Sequence, residues 1–132
     1  MARMITLGPF AVGRDGSLSP RSPGLRPALR FAWRGRACEA LMGDGALRLR
    51  AMAGRIPSTA ERNADRAGTL RAVAALPPVL PEGWQLRLTA DHRLALEAEA
   101  PPRGTAVSLL GEMVRFAMAM DPYLDRLEAA GA

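Results

Sequence analysis

Residues 28–53 alternate apolar and polar side chains in three short runs, and this pattern constrains the fold more than any other feature. Alternating side chains point to opposite faces of a β-strand, so one face of each strand can be buried. Glycines at positions 35, 43 and 45 separate the runs, and glycine adopts the positive φ values that tight hairpins need. The segment therefore predicts a three-stranded antiparallel meander. Its buried face holds Leu29, Phe31, Trp33, Leu47 and Leu49.

A second alternating segment, WQLRLTADHRLALEAEA, occupies residues 84–100. Ala90, Asp91 and His92 lie at its centre, and Asp is a common turn residue, so the segment predicts a β-hairpin. We expect its apolar residues to be buried in one core with those of the meander. They are Trp84, Leu86, Leu88, Leu94 and Leu96.

The first predicted helix follows the meander. Ser58 and Glu61 have the spacing of a capping box, in which the serine accepts from the backbone while the glutamate reaches back. This spacing predicts a helix over about 58–76.

The second predicted helix opens near Thr105 and runs to about Met120, where Asp121 and Pro122 interrupt the apolar pattern. Asp caps helices and Pro fits the first helical position, so a short final helix is predicted from here to about Ala129.

The N-terminal part has a different composition. Residues 4–12 predict a short edge strand, because Pro9 has no N–H and belongs at a sheet edge. Residues 13–27 are dense in glycine, serine and proline and predict a loop or flexible arm. We therefore divide the chain into an N-terminal edge strand and arm, 1–27, and a single α+β domain, 28–132. The predicted order of the domain is β-β-β-α-β-β-α, an antiparallel sheet with helices packed on one face.

This order of elements resembles the type III secretion chaperone-like fold, which also occurs in the YbjN-like proteins. The resemblance covers about residues 28–132 and implies a five-stranded antiparallel sheet packed against helices, usually in a dimer. The chain has no predicted helix before its first strands, and it is basic where secretion chaperones are typically acidic. The resemblance therefore implies the fold rather than a secretion role, and we carry over no site residue from it.

Composition excludes several kinds of chemistry. All 18 basic residues are arginines, and without lysine the chain has no Schiff base and no phosphate-binding loop of the GK[ST] type. The single histidine and single cysteine, His92 and Cys38, cannot form a zinc site of the usual composition. We interpret Asp91 and His92 as turn residues and Cys38 as a buried apolar side chain. The sequence thus predicts no catalytic residue, no metal and no cofactor.

The sequence also predicts a cytoplasmic protein without a membrane partner. No apolar run approaches the length of a membrane-spanning helix, and the N-terminal residues lack a signal-peptide pattern. One cysteine permits no internal disulfide, which fits a reducing compartment.

The formal net charge of +5 is concentrated in residues 1–60, where arginines greatly outnumber acidic residues. We assign five arginines to the polar faces of the predicted strands: Arg30, Arg34, Arg48, Arg50 and Arg87. Such a face can bind phosphates with salt-dependent affinity, but it has no aromatic side chain on which bases could stack. Two interpretations stay open, a solvated sheet face and a site for anions or nucleic acid, and we favour the first.

The helix near the C-terminus is apolar on more than one face. A single stripe facing a sheet holds about three or four positions in two turns, so some of its apolar side chains should project away from the domain. Deep burial and a partner interface are both open interpretations of this excess. If there is an interface, we expect it at Phe116, Met118, Tyr123 and Leu124.

Methionine-rich surfaces adapt to varied partners. The predicted function is therefore a non-enzymatic protein-binding or chaperone-like module, which binds a second copy of itself as a homodimer or a client protein. The alternative is anion or nucleic-acid binding through the arginine-rich sheet face.

Overall fold

The structure, a computed structural model, describes residues 5–7, 10–20, 28–43, 45–101 and 104–132. These residues form eight strands, two α-helices and a single 3₁₀ turn at Pro77–Val79. The strands are β1 (Ile5–Leu7), β2 (Phe10–Val12), β3 (Leu18–Pro20), β4 (Ala28–Trp33), β5 (Arg36–Gly43), β6 (Ala46–Arg55), β7 (Trp84–Leu88) and β8 (Arg93–Ala100). The helices are α1 (Arg66–Ala74) and α2 (Ala106–Ala129).

The strands form two antiparallel sheets. The larger sheet has the order β4-β5-β6-β8-β7, so the meander β4–β6 and the hairpin β7–β8 join where β6 pairs with β8. The smaller sheet has the order β1-β2-β3. From residue 28 onward the element order is β-β-β-α-β-β-α, and the predicted α+β class is confirmed.

One face of the five-stranded sheet packs against α2 and forms the core, as the alternating pattern predicts. Leu47, Leu49, Leu94 and Leu96 are buried there. They form one cluster with buried residues of α2, namely Leu109, Met113, Phe116, Met120, Leu124 and Leu127. The opposite face of the sheet, which we call the outer face, carries the polar members of the alternation.

The prediction that all ten apolar strand residues are buried is too broad. Leu88, the last residue of β7, is 56% exposed. Leu29, Phe31, Trp33, Trp84 and Leu86 are partly buried against the core. All six lie on β4 or β7, the edge strands of the sheet, where a neighbouring strand covers only one side.

Helix α1 begins eight residues later than predicted. Ser58 Oγ accepts from the Ala60 N–H at 3.0 Å, but this bond stabilises a turn and does not cap a helix. Asn63 then has a φ of 61°, which a helix cannot continue through. Asp65 is the actual N-cap, and its carboxylate accepts from the Gly68 N–H at 2.9 Å.

Helix α2 does not stop at Asp121, contrary to the prediction, and runs unbroken through Pro122 to Ala129. Proline removes one intrahelical hydrogen bond, and the other contacts of the helix outweigh that loss. Asp121 is not a cap, because its Oδ1 accepts from the Trp33 indole N–H at 2.7 Å. The predicted start is confirmed, with Thr105 as N-cap accepting from the Ser108 N–H.

The N-terminal region forms two strands where one was predicted, because β1 and β2 pair antiparallel within residues 4–12. The range predicted as an arm contains β3, and its residues 21–27 lie outside the described residues. Phe10 of β2 is buried in the same core cluster as the large sheet. The Ala106 N–H donates to the Gly16 carbonyl at 2.7 Å, so this region also holds the start of α2.

Candidate functional site

An exposed apolar surface runs along α2 on the side away from the core. Its residues, spaced three and four apart, lie on one face of the helix and span about 17 Å of its length. We call Val107, Leu110, Val114 and Met118 the exposed stripe. Val107 is 80% exposed and Met118 is 60% exposed. Since the opposite face of α2 is in the core, the helix is apolar on two sides.

The four predicted interface residues lie on different sides of α2. Met118 belongs to the exposed stripe, whereas Phe116 is 3% exposed and Leu124 is fully buried in the core. Residues two apart on a helix are about 200° apart around its axis, so Phe116 and Met118 face opposite ways. Tyr123 is half-buried, with its hydroxyl donating to the Val79 carbonyl at 3.2 Å. Phe116 and Leu124 therefore add nothing to the exposed surface of this chain.

Aromatic contacts fix the buried side of α2 against the edge strand β7. The ring of Trp84 lies 4.9 Å from that of Phe116 and 6.0 Å from that of Tyr123, measured between centroids. Tilted aromatic pairs at this separation contribute more than their buried area alone. The rotation of α2, and so the direction of the exposed stripe, is set partly by these rings.

The outer face of the sheet carries arginines that are matched by glutamates on neighbouring strands. In the register of the sheet, Arg30 lies opposite Glu39, Glu39 opposite Arg50, and Arg50 opposite Glu97. The charges therefore alternate in a row that crosses four strands. Opposite charges in such cross-strand positions stabilise a sheet, each pair by about 0.2–1 kcal/mol.

Two more arginines of the outer face join this arrangement. Arg48 Nε is 3.4 Å from a Glu99 oxygen, and Arg87 Nη1 is 3.7 Å from a Glu97 oxygen. Arg30, Arg48, Arg50 and Arg87 thus share the face with Glu39, Glu97 and Glu99. The arginines alone suggested a strongly basic face. With the glutamates included, the outer face is an ion-pair lattice with little net charge.

Arg34 does not lie on this face, contrary to the prediction. It stands with Gly35 in the tight turn between β4 and β5, where both have positive φ, so the alternation of β4 ends before it. Its guanidinium reaches α2 and pairs with Asp125 at 2.8 Å, Glu128 at 3.0 Å and Asp121 at 3.3 Å. Hydrogen bonding to Asp125 is the main cause that raises the pKa of Arg34. The residue fastens a hairpin to the helix and is not part of an anion site on the sheet.

The remaining candidate residues have structural surroundings. His92, with a φ of 62°, forms the β7–β8 turn with Asp91, as predicted. The Asp91 carboxylate accepts from the Thr89 hydroxyl, which lowers the pKa of Asp91, and it pairs with Arg93 rather than with His92. Cys38 is buried as predicted, and burial raises the pKa of its thiol. Neither pattern is that of a base activating a nucleophile.

Within the described part of the chain, no group of three histidine, cysteine, aspartate or glutamate side chains is placed to hold a metal ion. Neither described helix combines the length and the apolarity that crossing a membrane requires.

Some residues of these surfaces were missed in the sequence. Leu110 and Val114 were counted among the excess apolar residues but not assigned to one face, and Val107 was not considered, although the spacing of all three with Met118 gives that face. The glutamates of the outer face were visible in the same alternation as the arginines. The pairing of these glutamates with the arginines was not visible in the sequence, because it depends on which strands are neighbours in the sheet.

No protein-family model matches the chain, and no curated protein matches it in sequence. Among solved structures, the chain is similar to one in the heterodimeric complex ExoU-SpcU from the type III secretion system of Pseudomonas aeruginosa. The TM-score is 0.53 at 16% sequence identity, over 85% of this chain and 88% of that chain. At this identity the likeness concerns the fold. It supports the chaperone-like fold that the order of elements predicts.

Proposed function

We propose that the chain is a non-enzymatic, chaperone-like protein-binding module that presents the exposed stripe of α2 to another protein chain. That chain is a second copy, which makes the protein a homodimer, or a client. Of the four predicted interface residues, Met118 belongs to this surface, whereas Tyr123 is half-buried and lies against Trp84 on the other side of the helix. We place the module in the cytoplasm, in keeping with its single cysteine.

The exposed stripe is the observation that carries this proposal. Four large apolar side chains along one helix face expose an area on the order of a few hundred Å², which soluble proteins usually use for binding. The likeness in fold to a chain of the ExoU-SpcU complex supports the same conclusion, because that chain forms a heterodimer. The surroundings of Cys38, Asp91 and His92 described above favour a binding role over catalysis.

Val114→Glu should abolish binding through this surface. A carboxylate in the middle of the exposed stripe must be desolvated when another protein covers it, which is costly without a partner charge. Two measurements apply: the mass of the chain by sedimentation velocity up to about 100 µM, a range that detects weak complexes, and its ability to keep a heat-denatured reporter protein from aggregating. We expect wild type to be positive in at least one and the variant to be negative in both.

Leu70→Glu is the matched control, since Leu70 is an exposed leucine on the other helix, α1. It should leave both readouts unchanged. The proposal fails if wild type neither associates nor protects the reporter, or if both glutamate variants behave alike.

A second candidate function, anion or nucleic-acid binding on the outer face, is favoured by one observation. The Nε of Arg50 is buried and has no hydrogen-bond partner among the described residues. It lines a depression of about 290 Å³ together with Arg48 and Arg87, where an anion could accept from it. The glutamates in the same depression, Glu97 and Glu99, oppose this function by occupying the arginines.

The double variant Arg48→Gln with Arg50→Gln tests this second candidate. Folding should be retained, with a loss of about 1 kcal/mol or less, because both arginines are on the wet face of the sheet. We expect neither wild type nor the variant to be retained on an oligonucleotide column at low salt. Retention of wild type that is lost in the double variant and weakened by added salt would support nucleic-acid binding instead.

A further inference from the structure

We propose that the partner at the exposed stripe is a second copy of this chain, with the two α2 helices packed antiparallel and crossing beside Gly111. This inference rests on the proposed function, since it identifies which protein covers the stripe. Three properties of α2 lead to it: an exposed glycine, the spacing of the stripe and the distribution of charge.

Gly111 is an exposed glycine inside a long helix, at the centre of the exposed stripe. Apart from the backbone of α2 itself, a Cβ built on it would meet no atom of the described residues within 4 Å, so the packing of this chain does not require a glycine there. Glycine in a helix interior is less stable than alanine. Its specific advantage is that another backbone can approach closely. Gly111 therefore marks the place where a helix from another molecule packs against α2.

The stripe is complementary to itself when one copy is reversed. If two α2 helices run antiparallel with their midpoint between residues 112 and 113, Val107 faces Met118 of the second copy. In the same arrangement Gly111 faces Val114 of the second copy. A small residue thus meets a larger one at the centre of the contact, and the two ends are equivalent by the two-fold axis.

Charge selects the antiparallel arrangement over the parallel one. The C-terminal half of α2 carries Asp121, Asp125 and Glu128, and within the described residues Arg34 and Arg36 pair with these three carboxylates. Antiparallel packing brings this cluster toward the N-terminal end of the other helix, whose dipole is positive. Parallel packing would bring the two acidic clusters together.

The size of the stripe predicts a weak dimer. Two copies would bury roughly twice the few hundred Å² of one stripe, less than the total of about 1,200 Å² at which standard stable interfaces begin. We therefore expect association that depends on protein concentration over the micromolar range.

Disulfide trapping tests the arrangement directly. Val107→Cys and Met118→Cys are made as separate variants, and one of them carries a size tag. Mild oxidation of the mixture should give disulfide-linked heterodimers, and oxidation of either variant alone should give far fewer linked dimers. Wild type is the control, because its one thiol, Cys38, is buried and its raised pKa keeps it protonated.

Gly111→Ala separates a packing role from a folding role. In dilute solution the variant should melt about 4 °C higher than wild type, from the gain in helix propensity. Its dimer should be at least tenfold weaker in sedimentation, because the added methyl group holds the helices apart. A higher melting temperature with unchanged dimerisation would overturn the proposed contact.

The other outcomes are distinct. Linked homodimers of Val107→Cys alone would indicate parallel packing and would overturn the inference. Reporter protection that is abolished by Val114→Glu, without any self-association, would also overturn it, while the proposed function would stand with a client as partner. If wild type shows neither self-association nor protection of the reporter, the proposed function itself is refuted.

Discussion

Replacing Phe116 by alanine should lower the free energy of unfolding by about 3–5 kcal/mol, the usual cost of removing a buried phenylalanine. Phe116 is 3% exposed, and its ring is 4.9 Å from that of Trp84 between centroids. The substitution therefore leaves a cavity between α2 and β7 and also removes the aromatic contact. A domain of this size has a total stability of about 5–15 kcal/mol, so the loss is a large fraction of it. Urea unfolding at equilibrium measures it.

Met118→Ala is the matched control, two residues away on the same helix but 60% exposed. It should change the free energy of unfolding by less than about 0.5 kcal/mol, as is usual for surface substitutions. Equal effects of the two variants on a monomeric sample would show that the rotation of α2 is wrong.

Asp121→Ala should lower the free energy of unfolding by about 1.5–3 kcal/mol, the usual contribution of a hydrogen bond to a charged group. Its carboxylate accepts from the Trp33 indole N–H at 2.7 Å, in a partly buried position. Alanine leaves that N–H without its acceptor and weakens the ion pair with Arg34 at 3.3 Å. Thermal and urea unfolding both report the change.

Two controls isolate the hydrogen bond to Trp33. Asp125→Ala removes a carboxylate that pairs with Arg34 but does not bond to Trp33, and it should cost less than about 1 kcal/mol. Asp121→Asn keeps an oxygen acceptor and should restore part of the stability lost in the alanine variant. If Asp121→Ala and Asp125→Ala are equally stable, the indole bond contributes nothing.

The strands could be predicted from sequence because the pattern that identifies them is local. The predicted strands begin at Ala28 and Trp84, as observed, and run one residue beyond the observed ends at Trp33 and Leu88. Their alternation also gives the buried face correctly, since side-chain direction in a strand has a period of two. The degree of burial could not be predicted. Leu88 and Leu94 hold equivalent positions in the alternation, but Leu88 lies on the edge strand β7 and Leu94 on the interior strand β8.

Helix ends were less predictable, because capping residues form local bonds in more than one conformation. Ser58 and Glu61 make hydrogen bonds outside any helix, and Glu61 pairs with Arg55 at 2.5 Å. Asp121 has the sequence of a cap, but tertiary contacts with Trp33 and Arg34 hold it inside α2. At Ser58 and Glu61 other local bonds replaced the predicted cap, and at Asp121 long-range contacts outweighed the local signal.

The candidate surfaces depend on information that the sequence distributes over distant segments. Arg48 on β6 pairs with Glu99 on β8 because these two strands are neighbours in the sheet. The two residues are 51 positions apart in the chain. The face of α2 that is exposed depends on where the sheet lies. The sequence therefore indicated that α2 had more apolar residues than one face can bury, but the structure was needed to identify the exposed ones.

Both edges of the five-stranded sheet are fastened to the same helix by a tryptophan. Trp33 on β4 donates to Asp121, and Trp84 on β7 packs on Phe116 and Tyr123. During synthesis on the ribosome all eight strands emerge before α2 does. Until the helix arrives, both edges of the large sheet lack their fastening and are open to pairing with other nascent chains. The quality of folding in the cell therefore depends on how quickly the 24 residues of α2 follow the strands, and a chain cut before α2 would keep both edges open.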